Sequence, residues 1–203
     1  MNLVRARFAL ASAILLGVLA LGACGTSPPT AYYDLNAAVP AGTAATSAPN
    51  TARRIIIVST TVPGTVDRPQ LVLSESTGRV AFAEFHRWSD PPRTAIPGTV
   101  AAQLTRALGG AEVWPSSVAA PADADVRVLL NVTRFDGALG EAADVEVLWT
   151  VRSGAVERTG RTAAREPANG ADHAALVAAY ARALGAVSRD LATAIRALPP
   201  PAR

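Results

Sequence analysis

Metal centres, nucleophiles and proton relays are built mainly from cysteine, histidine and clustered carboxylates, and this chain has one Cys and two His in 203 residues. His86 and His173 lie far apart in the sequence, without neighbours at metal-ligand spacing, so neither a metal site nor a cofactor is expected. His86 stands between Phe85 and Arg87 at the end of an apolar stretch, where a structural role is the better reading. His173, in the first turn of an expected helix, reads as exposed. There is no GxSxG elbow, Walker loop or GxGxxG, which excludes the ATPase of a transporter. A Ser-His-Asp triad assembles only in space and so stays open, but nothing in the sequence points to a nucleophile or an orienting group. No catalytic residue is assigned, and the protein is not expected to be an enzyme.

The cysteine has a different use. Arg5 and Arg7 form a positive n-region, Phe8 to Leu21 an apolar run, and Leu21-Gly22-Ala23 a small-residue approach to Cys24. That run is shorter than the roughly 20 residues needed to span a bilayer. The LGAC string resembles the lipobox of bacterial lipoproteins, in which cleavage precedes the cysteine and acyl chains are attached to it. This implies a signal peptide at 1–23 and lipidation at Cys24. Two or three chains at about 0.8 kcal/mol per buried CH₂ hold a protein on a membrane. By resemblance to enterobacterial lipoproteins, Gly25 is compatible with passage to the outer membrane, so a body in the periplasm anchored to the outer rather than the inner membrane is expected.

Without Arg5 and Arg7 the 19 basic residues fall to 17 against 16 acidic, a net charge of +1 with no footprint for nucleic acid. Residues 24–52 are mostly Ala, Thr, Ser, Pro and Gly and read as a flexible tether, interrupted by a short strand at 32–35 (Tyr32-Tyr33-Asp34-Leu35). Residues 53–199 form one domain and 200–203 a tail.

Within that domain the stretch Val62–Trp88, VPGTVDRPQLVLSESTGRVAFAEFHRW, reads as a β-hairpin turning at Ser76-Thr77-Gly78. Its DRPQLV start and HRW end, followed by a Pro-containing loop and a helix, resemble the auxiliary lipoproteins of ABC-type transport systems, the PqiC (YmbA) family that serves MCE-type lipid transport. The YY-x-L element at 32–35 is similar to the start of the folded part in that family. The resemblance implies an MCE-family protein and its transporter complex as partners, with a homo-oligomer and a phospholipid contact among the implied properties. Asp67, Arg68, Pro69, Gln70, His86, Arg87 and Trp88 are the candidate docking residues, since Arg and Trp are favoured interface anchors. Ion pairs of Asp67, Arg68 and Arg87 that pin the hairpin to the following loop are an equal alternative, and Trp88 can equally serve as a lid on the core.

The remaining elements follow from periodicity. Ile55-Ile56-Ile57-Val58 predicts a strand buried on both faces. Thr94 is the expected cap of a helix whose Ile96, Val100, Leu104 and Leu108 share a face and whose Pro97 falls in the first turn. A short strand at 111–114 follows, reached from the hairpin by a crossover through that helix. Two strands then alternate, Val126-Val128-Leu130-Val132 and Val145-Val147-Trp149-Val151, before a weaker edge strand from Val156 to Ala163. Asp172 caps a last helix whose stripe from Leu176 to Leu198 packs on the protein's own sheet. The fold class is α/β: a single domain with a mixed, largely antiparallel β-sheet of about five to seven strands and two main α-helices.

Two functions remain. One is a non-catalytic, membrane-anchored subunit of an ABC/MCE-type system that moves phospholipid or another hydrophobic solute between the two membranes. The other is a free-standing envelope lipoprotein with a structural role, or one that binds a small apolar ligand between helix and sheet.

Overall fold

The computed structural model describes residues 27–38, 53–75, 78–118, 121 and 123–199. Cys24, the expected signal peptide, most of the tether and the Ser76-Thr77 pair of the hairpin turn lie outside these residues.

The chain runs β1 (Ala31–Tyr33), β2 (Arg54–Thr61), β3 (Gln70–Ser74), β4 (Val80–Trp88), α1 (Pro92–Ala107), β5 (Glu112–Trp114), β6 (Val126–Gly137), β7 (Ala142–Ser153), β8 (Val156–Pro167) and α2 (His173–Arg196). The strands form two sheets, β1-β4-β3 and β5-β2-β6-β7-β8, where a single sheet was expected. In the small sheet β1 runs parallel to β4, while β3 and β4 make the antiparallel hairpin. In the large sheet β2 is parallel to both β5 and β6, and β6, β7 and β8 form an antiparallel meander. The expected crossover within one sheet is thus replaced by a connection through α1 that carries the chain from the small sheet to the large one. The mixed character comes from β2, whose parallel partners both arrive later in the sequence.

Alternation places the expected valines inward. Ile57, Val128 and Val151 are in register across three strands, and all three are fully buried beneath the helices. Among the described residues the helices pack on one face of this sheet, and Ile56 and Val58 are half-buried, not enclosed as the β-branched run suggested. The tight β6–β7 turn is made by Gly140 at φ +72°, a conformation that penalises any side chain.

The start of α1 differs from expectation. It begins at Pro92, so Pro97 lies in the second turn, where its missing N–H leaves the Arg93 carbonyl without its usual donor. Pro91 provides no side-chain cap, and neither does Thr94. The carboxylate of Asp67 does the capping from outside: Oδ1 accepts the backbone N–H of Arg93 at 3.2 Å, and Oδ2 accepts Arg93 Nε at 2.7 Å.

In α2 the expected cap is present, with Asp172 Oδ1 accepting Ala175 N at 2.7 Å. Its stripe, including Leu176, Tyr180, Leu184, Val187, Leu191 and Ile195, is fully buried on β7, β8 and α1, and each such aliphatic side chain contributes about 1.5–3 kcal/mol. Where the helices meet, Gln103 Nε2 donates to the Ala181 carbonyl at 2.8 Å and Ser188 Oγ donates to Gln103 Oε1 at 3.1 Å, so the buried amide is satisfied on both sides.

Candidate functional site

Trp88 and Phe82 belong to one strand at an even spacing that would put them on one face. The β3–β4 register slips between Gln70–Arg87 and Leu71–Ala83, however, and Trp88 is buried while Phe82 is exposed. Trp88 is 5% exposed and meets Phe135 and Tyr180 at ring-centroid distances of 6.1 and 5.9 Å. This corrects its assignment to a docking surface and leaves it the alternative role, a lid on the core. The physical reason is strand parity: β1 pairs Tyr33 with Trp88 on the core side and Tyr32 with Arg87 on the solvent side. Burial also pushes the Tyr180 phenol far above its ordinary range, with the Asp136 and Asp144 carboxylates adding to the effect.

His86 shares the inner side and is likewise withdrawn from the solvent face. Its Nδ1 is 2.8 Å from Tyr33 Oη, and its ring lies flat against that of His173, with centroids 3.5 Å apart and planes 7° from parallel. The two histidines read as unrelated are therefore neighbours, because the end of β4 and the first residue of α2 converge. His173 is half-buried, not exposed. Burial depresses its basicity and the adjacent His86 depresses it further, while Asp172 opposes both. The Tyr33 phenol is raised by burial and then by Asp172, so it stays neutral and shares a hydrogen bond with His86 Nδ1 whose direction follows the imidazole tautomer. No serine, threonine or cysteine completes a relay around this pair in the contacts seen, and among the described residues no group of three or more His, Cys, Asp or Glu is placed to hold a metal ion.

The outer face has a different chemistry. Of the six large hydrophobic residues exposed among the described residues, four belong to the small sheet: Tyr32 (66%), Val80 (47%), Phe82 (42%) and Phe85 (39%). Arg68 lies over the Phe82 ring at 4.0 Å from its centroid, and its Nε donates to the Thr65 carbonyl at 2.9 Å. Pro69 precedes β3, its carbonyl accepting Trp88 N at 2.7 Å, and Gln70 is paired with Arg87. Arg87 Nε donates to the Glu84 carbonyl at 3.2 Å. Among the described residues neither Arg68 nor Arg87 forms an ion pair; only Asp67 does, and with α1 rather than the loop before it. Alternation in β4 groups Val80 with Phe82 but leaves Phe85 out of phase; the slip in the β3–β4 register lies between Ala83–Leu71 and Arg87–Gln70, and no period in the sequence records it.

Two surface clefts lie elsewhere. One of about 310 Å³ is lined by Arg134, Asp136, Glu141, Asp144 and Arg165, with Asp144 bound to Arg165 at 2.7 Å. The other, about 570 Å³, is an open groove between β8 and α2 over Trp149, rimmed by the charged Glu157, Arg158 and Asp190. That rim is a poor match for an apolar ligand.

Fold and site together define a compact α/β domain of two sheets and two helices that presents one aromatic sheet face to its surroundings. The chain belongs to the family of ABC-type transport auxiliary lipoprotein components, whose family model matches residues 33–192. That family is a transport auxiliary component rather than an enzyme family. No curated protein matches the chain. Its fold is that of an uncharacterized protein of known crystal structure, with 19% identity, TM-score 0.65, and coverage of 83% of this chain and 99% of the other. It is also similar to a DUF330-family protein from Xanthomonas campestris, with 19% identity, TM-score 0.54, and coverage of 71% and 83%. No helix among the described residues is long and apolar enough to cross a membrane.

Proposed function

We propose that this protein is a non-catalytic, lipid-anchored subunit of a PqiC-like, MCE-type ABC system that moves phospholipid or another hydrophobic solute between inner and outer membranes. Residues 1–23 are the signal peptide, Cys24 carries the acyl chains, residues 25–52 form the tether, and the body works in the periplasm from the outer membrane. Its work is docking: energy for transport comes from a separate ATPase, and this chain holds the transporter's MCE-family protein in place. The observation that carries the reading is the exposure of Tyr32, Val80, Phe82 and Phe85 together on the small sheet, with Arg68 over Phe82 and Arg87 paired with Tyr32. Aromatic and Arg side chains are the commonest anchors of protein interfaces, and contiguous apolar area on a monomer surface marks a contact site.

The test is site-specific photocrosslinking from positions 82 and 85 of the full chain in its native envelope. Capture of an MCE-family protein, abolished by Phe82→Ser together with Arg68→Ala, supports the proposal. Undiminished capture by a normally folded double variant would sink the docking surface, and a Cys24→Ser protein that still sediments with membranes would sink the anchor.

A further inference from the structure

We propose that the Tyr33–His86–His173 cluster is a protonation-controlled latch: neutral rings hold β1 onto the body, and acidification releases residues 31–33 from it. The cluster joins three elements, with Tyr33 on β1, His86 on β4 and His173 as the first residue of α2. Flat stacking at 3.5 Å is favourable between neutral imidazoles, and it is the arrangement that two imidazolium ions tolerate least. Protonation also fixes the direction of the hydrogen bond to β1. In the Nε2–H tautomer of neutral His86 the Tyr33 hydroxyl donates to Nδ1, whereas a protonated ring donates there and the phenol must accept.

The surroundings disfavour the cation. His173 opens a helix whose positive dipole end faces it, and the ring is half-buried against His86. Among the described residues Asp172 is the carboxylate that acts on His173 and Tyr33, and it is already held as the cap of α2 through Ala175 N. From β1 the only titratable group facing the pair is Tyr33; the next, Asp34, is turned to the backbone N–H of Asn36 at 2.8 Å. On β4 the flanking Glu84 is exposed and the flanking Arg87, on the outer side, bonds its carbonyl. For a base whose folded value is depressed, stability is present in full above the ordinary histidine value of about 6.5 and is lost as pH falls through the lower folded value.

β1 is suited to local release. It is a three-residue edge strand with one partner strand, held otherwise by Ser89, whose N–H and Oγ donate to the Tyr33 carbonyl at 2.8 and 2.7 Å. Past it, Leu35 is buried and Thr99 Oγ1 donates to Asn36 Oδ1 at 2.9 Å, so opening stops there. Under the anchorage proposed above, release of residues 31–33 would lengthen the leash between membrane and body by about 10 Å at some 3.3–3.6 Å per residue. The latch itself does not depend on that anchorage.

The test is hydrogen exchange of the full chain at pH 7.5 and 5.0, corrected for intrinsic rates, together with NMR titration of both imidazoles. Protection at residues 31–33 and at Ser89 N should fall about tenfold or more at pH 5.0 while β6 and β7 stay protected. A His173→Phe variant, which keeps a stacking ring without the charge, should stay protected at both pH values. Equal protection of the wild type at both pH values, an equal loss in His173→Phe, or imidazoles that both titrate at or above 6.5 would overturn the latch. Each result is independent of Cys24 and of any partner.

Discussion

The guanidinium of Arg53 closes the far end of α2, its Nη1 donating to the Ile195 carbonyl at 3.0 Å and its Nη2 reaching the carbonyls of Leu198 and Pro199 at 3.0 and 2.8 Å. A cation at a helix C-terminus satisfies orphan carbonyls and complements the dipole, and this one is buried, so water cannot replace it. Arg53→Met should lower unfolding free energy in urea by about 2–4 kcal/mol. Arg53→Lys keeps the charge but not the fork, and should lose less. Equal stability of wild type and Arg53→Met would refute the role.

Gly160 faces Trp149 across the β7–β8 pair, and a Cβ placed there would stand 2.2 Å from the indole. The indole is held from behind, Nε1 donating to Thr162 Oγ1 at 3.0 Å and Thr162 in turn donating to Asp190 at 2.6 Å. Gly160→Ala should therefore cost about 1–3 kcal/mol. In the Trp149→Ala background the same change should cost much less, a coupling that a double-mutant cycle measures directly.

The two faces of β4 should separate stability from contact. Trp88→Ala empties part of the core and should cost about 3–5 kcal/mol in denaturant unfolding. Phe82→Ser, on the solvent side, should change stability by no more than about 0.5 kcal/mol. A comparable loss for the two would mean that the outer face is packed rather than presented.

Tyr180 supplies an alkaline signature. Its folded value is raised above the unfolded one near 10, so its contribution is intact below that pH and is lost as pH rises beyond it. Urea midpoints should fall between pH 9 and 11, and Tyr180→Phe should flatten that fall. Absorbance of phenolate from the folded wild type should report one tyrosine fewer than from the unfolded chain.

Much of the fold was legible in the residues. The alternation of Val126 to Val132 and Val145 to Val151, the stripe of α2, its Asp172 cap and the hairpin at 62–88 are local patterns, and a strand or helix records them in its own periodicity. The site was legible only in part. Arg68 and Arg87 stand on the solvent side, whereas Trp88 and His86 are turned inward, because parity tells that two residues share a face without telling which face is covered.

What the sequence determined by itself, then, is the set of elements and the apolar side of each, since these depend on residues a few positions apart. Tertiary structure decided how the strands divide into two sheets, that Asp67 rather than Thr94 caps α1, that Arg53 closes α2 and that His86 lies on His173. These partners lie 26 to 146 positions apart along the chain. No local period encodes such a separation, and the pairs meet only because burial of the shared core brings their elements to the same place.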